Sequence, residues 1–282
     1  MKKSIAVLLA VLVLLSVFAC GKAAKEEAGQ ASTDAFETVV IADNNQCVVK
    51  IVGMEHDPYF GNTLNVYMEN KSLTKTYDFS VMEAYVNGVA WSPFYIKEVG
   101  PRKNETEKMQ FVSDSLDERI PEFTDIELIF RVSDSNDSKA EDVVHETVHV
   151  YPLGKDKAKP YVHEAKSSDF VMEDNKDFSA IVTGYPTDEA GGLITELFLA
   201  NKTDAKLIFW IANVTVNGKE IDPFWAQGLN EGKMVYSKIY FTQSDFDKLG
   251  IKEVESIRLT LCVMDYDMTG SFVYEKDFTL TP

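Results

Sequence analysis

Cysteine and histidine are scarce in this sequence, which contains three cysteines and four histidines among 282 residues. No Cys-x-x-Cys spacing occurs, so a cysteine-based zinc site and a disulfide-rich scaffold are excluded. The sequence also lacks a Ser-His-Asp set, a nucleophile elbow and a glycine-rich phosphate loop. These absences argue against the common classes of serine hydrolase and nucleotide-binding enzyme.

Basic residues are outnumbered: 28 lysines and arginines face 45 acidic residues, for a net charge of −17. A chain of this charge repels phosphate backbones and anionic lipid headgroups. We therefore expect no nucleic-acid partner. On an exported protein, such acidity serves solubility first.

No apolar run is long enough to span a bilayer comfortably, because the longest apolar stretch covers only the fifteen residues 5–19, with Ser16 within it. Lys2 and Lys3 precede it, as in a bacterial export signal. Its end, Val17-Phe18-Ala19-Cys20, resembles the lipobox of bacterial lipoproteins, in which the cysteine is diacylated and becomes the mature N-terminus. This predicts a signal peptide over residues 1–19, lipidation of Cys20, and a membrane-anchored chain on the extracytoplasmic face. The alternative is an ordinary secretory signal with an incidental cysteine.

The chain matches itself at an offset of 130 to 131 residues. VNGVAWSPF (86–94) meets VNGKEIDPF (216–224), VYMENKS (66–72) meets LFLANKT (197–203), and IELIFRV (126–132) meets IRLTLCV (257–263). Repetition of this kind predicts a tandem duplication. We place a flexible tether at 20–35, the first domain at 36–152, a linker at 153–166 and the second domain at 167–282.

Each copy has the pattern of a β-sheet protein. Apolar and polar residues alternate through 126–132 and 257–263, which predicts half-buried strands. Asn87-Gly88 and Asn217-Gly218 favour tight hairpins. One short helix is predicted, with Ser244 as its N-cap and Gly250 as its end, and residues 114–120 match it in the first copy. Seven or eight strands per copy predict an antiparallel β-sandwich.

The order of these elements resembles that of a known family. An apolar strand ends in Asn-Lys-Ser/Thr, a second strand and an Asn-Gly hairpin follow, and a lipobox precedes them all. This order is similar to that of the immunoglobulin-like domains of surface lipoproteins of Gram-positive bacteria, which share their fold with a secreted mycobacterial antigen. The resemblance implies an all-β fold of two tandem immunoglobulin-like sandwiches and a surface location. It brings no catalytic residues.

His145-Glu146-Thr147-Val148-His149 fits the H-E-x-x-H motif of zinc metalloproteases. That motif requires a helix, which places both imidazoles on one face. The surrounding β-branched residues favour a strand instead, on which the two histidines would lie about 13 Å apart. We therefore expect a strand, with a zinc-dependent envelope hydrolase as the alternative function.

The stretch from Asp265 to Gly270, DYDMTG, begins like a calcium-binding loop. Lys276 stands where the loop would need its bidentate glutamate. A polar hairpin is the favoured interpretation, and a calcium-stabilised module is the alternative.

Aromatic residues could form a row of exposed rings for a glycan or peptide. They are Trp91, Trp210, Trp225 and the matched pairs Phe94-Tyr95 and Phe224-Trp225 that follow each repeated proline. We expect them to pack in the core or over the end of a sandwich, with Trp91 facing inward. Cys47 and Cys262 are expected to be unpaired thiols, Cys47 facing the core and Cys262 on an outer strand face.

The sequence thus predicts a non-enzymatic surface lipoprotein without a cofactor or bound metal. Its expected partners are the membrane, through the lipid on Cys20, and either a protein or a cell-wall glycan.

Overall fold

The structure, a computed structural model, describes residues 36–59, 61–91, 93–112, 119–267 and 273–282. Phe36–Pro282 forms one compact unit. The predicted signal peptide, Cys20 and the tether lie outside the described residues. The predicted all-β class is confirmed, because antiparallel strands packed as sandwiches make up most of the described chain.

The first half of the unit holds nine strands in two sheets. One sheet has the order β1-β2-β3-β7, and in the other β4 pairs with β5, β6 and β8, which pairs with β9. The strands are β1 (Val39–Asp43), β2 (Cys47–Asp57), β3 (Gly61–Asn70), β4 (Tyr77–Val86), β5 (Val89–Ala90), β6 (Ile96–Val99), β7 (Asn104–Gln110), β8 (Ile126–Asp134) and β9 (Val144–Val150).

The second half repeats this order of pairing. β10, β11, β12 and β16 follow one another in a sheet, while β13 pairs with β14, β15 and β17, which pairs with β18. The strands are β10 (Phe170–Asp174), β11 (Phe178–Gly184), β12 (Leu193–Asn201), β13 (Leu207–Val216), β14 (Lys219–Glu220), β15 (Ala226–Leu229), β16 (Met234–Phe241), β17 (Ile257–Asp265) and β18 (Val273–Leu280). A short 3-10 helix, Lys155–Lys157, lies between the halves.

Each half buries its own hydrophobic core between its two sheets. Phe79 and Phe130 meet Leu64 and Met68 in the first core. In the second core, Phe209 from one sheet packs with the residues of the other. The alternation of apolar and polar residues produces this arrangement, since successive side chains of a strand point to opposite faces of its sheet.

The repeated Asn-Lys-Ser/Thr motif closes a strand in each half. Asn70 Nδ2 donates to the carbonyls of Lys75 and Val99, both at 2.8 Å. Asn201 Nδ2 donates to the carbonyls of Ala205 (2.8 Å) and Leu229 (3.0 Å). Both asparagines are almost fully buried, so the amide satisfies backbone carbonyls that water cannot reach. The repetition of this motif therefore has a structural cause.

The two Asn-Gly pairs form hairpin turns, as predicted. Asn87 and Asn217 adopt φ angles of 52° and 51°, and the glycines that follow have φ angles of 85° and 76°. Two successive positive φ angles define the turn whose twist matches that of the flanking strands.

The predicted helix is present as α1 (Gln243–Leu249), but its N-cap is Thr242 and not Ser244. Thr242 has extended backbone angles and its side chain accepts a hydrogen bond from the Asp245 backbone N–H, so it satisfies an N–H that Ser244, inside the first turn, cannot reach. Gly250 ends the helix with a φ of 64°. Most of residues 114–120, the matching segment, lies outside the described residues. Within the described parts of the chain, no helix is long and apolar enough to cross a membrane.

A single parallel pairing, Met234 with Val89, joins one sheet of each half into a continuous nine-stranded sheet. Met234 N–H donates to the Gly88 carbonyl at 3.0 Å. Met234 and Tyr236 also pack against the first core, and Ala90 packs against the second. The first hairpin is therefore part of the junction between the halves.

Candidate functional site

The H-E-x-x-H string lies in strand β9, as predicted, and not on a helix. His145 Nδ1 contacts Asp142 at 3.3 Å, whereas His149 Nδ1 contacts Asp125 at 2.8 Å. The two rings thus have separate partners, and the helical geometry that the zinc motif requires does not form. Among the residues that the structure describes, no three His, Cys, Asp or Glu side chains are grouped to hold a metal ion.

Only the start of the stretch from Asp265 to Gly270, a predicted polar hairpin with calcium binding as the alternative, is described. Asp265 ends β17 and is 6% exposed. Tyr266 donates its backbone N–H to the Lys206 carbonyl, and the Lys206 ammonium lies 4.3 Å from the centre of the Tyr266 ring. Met268, Thr269 and Gly270 lie outside the described residues, so neither the polar hairpin nor the calcium alternative is tested.

The aromatic residues divide into two groups. Trp91 and Trp225 are buried as expected, and Trp91 packs edge-on against Phe123 with 4.9 Å between ring centres. Trp210 is half-buried. The expectation for the repeated phenylalanines is wrong, because Phe94 and Phe224 are each 98% exposed. The residues that follow them, Tyr95 and Trp225, pack against the first and second core instead.

Neither Cys47 nor Cys262 forms a disulfide. Cys47 is buried in the first core, as expected, and burial raises the pKa of its thiol to about 11. Cys262 lies outside the second core, on the outer face of its strand as expected, but it is also buried, at 6% exposure. It pairs with Trp210 on one side and Glu275 on the other. These larger residues on the neighbouring strands cover a small side chain on the outer face.

The sequence gives no direct sign of a cavity of about 280 Å³ beside the junction. Three parts of the chain line it. Arg119 and Pro121 come from the first half, the segment 161–169 runs from the linker into the second half and contributes six side chains, and the second half also contributes Thr183 and Tyr236.

A chain of hydrogen bonds fixes the linker wall of this cavity. Tyr161 OH lies 2.6 Å from Tyr236 OH, which lies 2.9 Å from His163 Nδ1. His163 Nε2 lies 3.0 Å from Asp169 Oδ2, and the imidazole stacks on Phe198 with 4.5 Å between ring centres. Because a carboxylate only accepts, Nε2 of a neutral ring is the donor to Asp169 and Nδ1 accepts from Tyr236.

Tyr236 also receives a cation on its ring. The Arg119 guanidinium lies 4.2 Å from the ring centre and 3.3 Å from Glu196 Oε2. Burial, followed by the hydrogen bond with Tyr161, raises the pKa of the Tyr236 phenol. The phenol therefore stays protonated at neutral pH, which suits a hydrogen-bond donor better than a nucleophile.

The comparisons with known proteins name no family for this chain. No protein-family model and no curated protein matches it. Among solved structures, red sea bream transglutaminase is 9% identical over 88% of this chain, with a TM-score of 0.23. The match covers 31% of the transglutaminase chain. A likeness this weak carries no statement about activity.

Two ring-bearing residues in the linker are a sequence feature that indicates this cavity wall. Tyr161 and His163 stand in a lysine-rich segment between two prolines and the second half. Exposed linkers are typically polar, so rings at alternate positions indicate a segment that packs on a surface. The sequence could suggest that packing, but not which surface receives it.

Proposed function

We propose that the protein is a non-catalytic surface lipoprotein, held to the membrane by lipid on Cys20, whose paired sandwiches bind a protein or glycan of the cell envelope. The export signal and the lipobox-like end support the anchor. The repeated exposure of Phe94 and Phe224 supports the binding role and is the observation on which the proposal depends.

Isolated exposed apolar residues are ordinary on protein surfaces. These two differ because each is 98% exposed and each stands at the same position after the same hairpin in its half. Burying a phenylalanine side chain contributes about 1.5 to 3 kcal/mol, so two rings held out on proline-restricted backbone offer a partner two anchoring groups. Paired attachment would strengthen binding beyond that of either ring alone.

Binding is tested with a pull-down from host envelope material, using the protein and its Phe94→Ser/Phe224→Ser variant. We expect the double variant to retain less than about a tenth of the captured partner, while each single variant retains more. Leu73→Ser is the matched control, because Leu73 is also an apolar residue with an exposed side chain, at 66%, but does not follow either Asn-Gly hairpin. Equal capture by the double variant and the control would contradict the proposal.

Anchoring is tested separately by feeding cells a clickable palmitate analogue. The natural chain should incorporate the label and sediment with membranes. Cys20→Ser should lose the label and appear in the released fraction, because no acyl chain then anchors it. A labelled Cys20→Ser chain would show that the anchor lies elsewhere.

A further inference from the structure

An open groove lies beside the exposed Phe224 in the second half. It is lined by residues 211–215 of β13 and by residues 220–222, which lead from the end of β14 to Pro223 and Phe224. Given the envelope-binding role proposed above, on which this rests, we propose that the Phe224 groove binds a short basic peptide segment of a protein partner. An apolar side chain of the segment lies on the floor of the groove, and its lysines or arginines contact the rim.

An irregularity in β13 borders the groove. The register of β13 against β17 shifts between Ala212 and Thr215, and Asn213 between them has a φ of 51°. Asn213 Nδ2 donates to Thr260 Oγ1 at 3.1 Å, which ties the irregular stretch to β17. On its opposite edge, β13 pairs with β15 as far as Trp210 and with β14 from Thr215 onward. The residues between these two pairings therefore face the groove instead of a strand.

The floor of the groove is aliphatic. Val214 belongs to the second core, at 7% exposure, while Ile211 and Ile221 pack against that core and keep part of their side chains accessible. The groove has a volume of about 510 Å³, which lies within the range of ligand sites. Such a floor suits an apolar side chain of a peptide. A sugar ring would leave its hydroxyl groups without partners there, which is costly.

The rim of the groove is acidic. Glu220 and Asp222 line it and are exposed, and neither forms an ion pair with another residue that the structure describes. The adjacent cation, Lys219, donates its ammonium to the Leu249 carbonyl at 2.5 Å. The chain as a whole carries a net charge of −17, which attracts a cationic partner over a longer range. A basic segment is therefore complementary to the rim and to the whole protein.

The matching segment of the first half has different residues. Trp91 stands at the position of Ile221 and is buried, at 4% exposure. The sequence Ala-Trp-Ser of residues 90–92 replaces the Glu-Ile-Asp of residues 220–222. Both segments lead to an exposed phenylalanine, but these positions are acidic only in the second half. The basic segment of the partner therefore belongs to the second half.

The first test is isothermal titration of the full-length protein in detergent with three acetylated and amidated peptides, KALAK, KASAK and EALAE. Alternate side chains of an extended peptide share a face, so KALAK presents a leucine between two lysines. We expect KALAK to bind with a dissociation constant of about 1 mM or tighter. KASAK lacks the apolar side chain and EALAE reverses the charge, so each should bind at least about tenfold more weakly.

Glu220→Gln/Asp222→Asn is the decisive variant, because it removes both rim charges and keeps the shape of the side chains. Its affinity for KALAK should fall at least about tenfold. Glu141→Gln/Asp204→Asn is the matched control. It removes the same two charges at exposed positions outside the lining of the groove and should bind KALAK as the natural protein does. This control separates contact at the rim from the general attraction of an acidic chain.

Ile221→Ser tests the floor and should weaken KALAK binding at least about threefold, with thermal unfolding as the check that the variant is folded. Phe94→Ser, in the first half, should bind KALAK as the natural protein does. Failure of the natural protein to bind KALAK at about 10 mM would overturn the proposal. Equal binding of KALAK and EALAE would do so too, as would unchanged affinity in Glu220→Gln/Asp222→Asn.

The envelope pull-down separates this proposal from the binding role on which it rests. Glu220→Gln/Asp222→Asn should capture less than about a third of the partner. Full capture by this variant, with reduced capture by Phe94→Ser/Phe224→Ser, would overturn the basic partner and leave the binding role in place. Capture of a glycan in place of a protein would have the same meaning. Full capture by the phenylalanine variant would overturn the binding role, while the KALAK titration still decides the groove.

Discussion

The two Asn-Gly hairpins share a turn geometry but have different surroundings. The first, between β4 and β5, lies in the junction, where Val89 is fully buried and pairs with Met234. The second, between β13 and β14, carries the exposed residues Lys219 and Glu220. Within the described residues, β14 pairs with no strand except β13. One turn therefore joins two sandwiches, while its counterpart bonds to residues of its own half, among them Leu249 and Glu255, and leaves its short strand exposed.

The sequence difference at these turns follows from that placement. An apolar Val-Ala pair suits a hairpin that meets another sheet, because charged side chains there would lose their hydration. Lys-Glu at the second hairpin keeps a short free edge charged, which is a common protection against edge-to-edge pairing. The matching residues set the turn, and the differing residues determine whether the turn is covered.

The largest effect is expected from Val89→Asp. A carboxylate at this buried position would lose its water without gaining a partner, so the free energy of unfolding should fall by about 4 kcal/mol. Lys219→Asp, the same residue at the matching exposed position, loses only the solvent-exposed hydrogen bond from Lys219 Nζ to the Leu249 carbonyl and should lower it by about 1 kcal/mol. Urea denaturation measures both, and equal losses would show that the two hairpins do not differ as the structure indicates.

A smaller difference is expected between Asn87→Ala and Asn217→Ala. Asn87 is 6% exposed, and its Oδ1 accepts from the backbone N–H groups of Thr124 and Asp125. Asn217 Oδ1 accepts similarly from Glu255 and Ser256 but is more accessible to water. We expect losses of about 3 and about 1 kcal/mol, because water can replace only the second set of bonds.

Asn87→Gly and Asn217→Gly are the controls for this pair. Glycine accepts the positive φ without strain, so any loss that remains reports the missing side-chain hydrogen bonds. The interpretation would be contradicted if both glycine variants had the same free energy of unfolding as the natural protein in this experiment, because the side-chain hydrogen bonds would then contribute nothing.

The smallest effect is expected from giving the second hairpin the apolar residues of the first, in Lys219→Val/Glu220→Ala. An uncharged apolar edge should make the protein self-associate weakly, with a dissociation constant of about 0.1 to 1 mM. Sedimentation velocity over a concentration series measures this. Lys219→Ser/Glu220→Ser removes the charges without adding apolar surface and should stay monomeric. If the valine variant is also monomeric at every concentration, charge at this edge is not what keeps it free.

The parts of the fold that follow from local pattern could be predicted. Alternation around Leu128 and Leu259 predicted strands, and Asn-Gly predicted turns, because both depend on neighbouring residues along the chain. The N-cap was misplaced by two residues, since Thr242 and Ser244 are both good capping residues and only the path of the preceding strand selects between them.

Burial by neighbouring strands was less predictable. Cys262 alternates as an outward residue, yet Trp210 and Glu275 flank it and it is buried. Phe94 and Phe224 were expected to pack in the core or over the ends of the sandwiches, but they are exposed, and the next residues, Tyr95 and Trp225, pack against the two cores. Which of two adjacent rings turns inward depends on the space left by the rest of the core.

By itself, the sequence determined the all-β class, the hairpin turns and the strand character of the H-E-x-x-H segment, because period, propensity and turn chemistry act over a few residues. Only the tertiary structure decided that Val89 meets Met234 and that Tyr161 and His163 pack onto Tyr236. It also brought Asp169 and Thr183 to one cavity. Such contacts join residues far apart in the chain, and their stability depends on which surfaces fit together, a property that no local stretch of sequence contains.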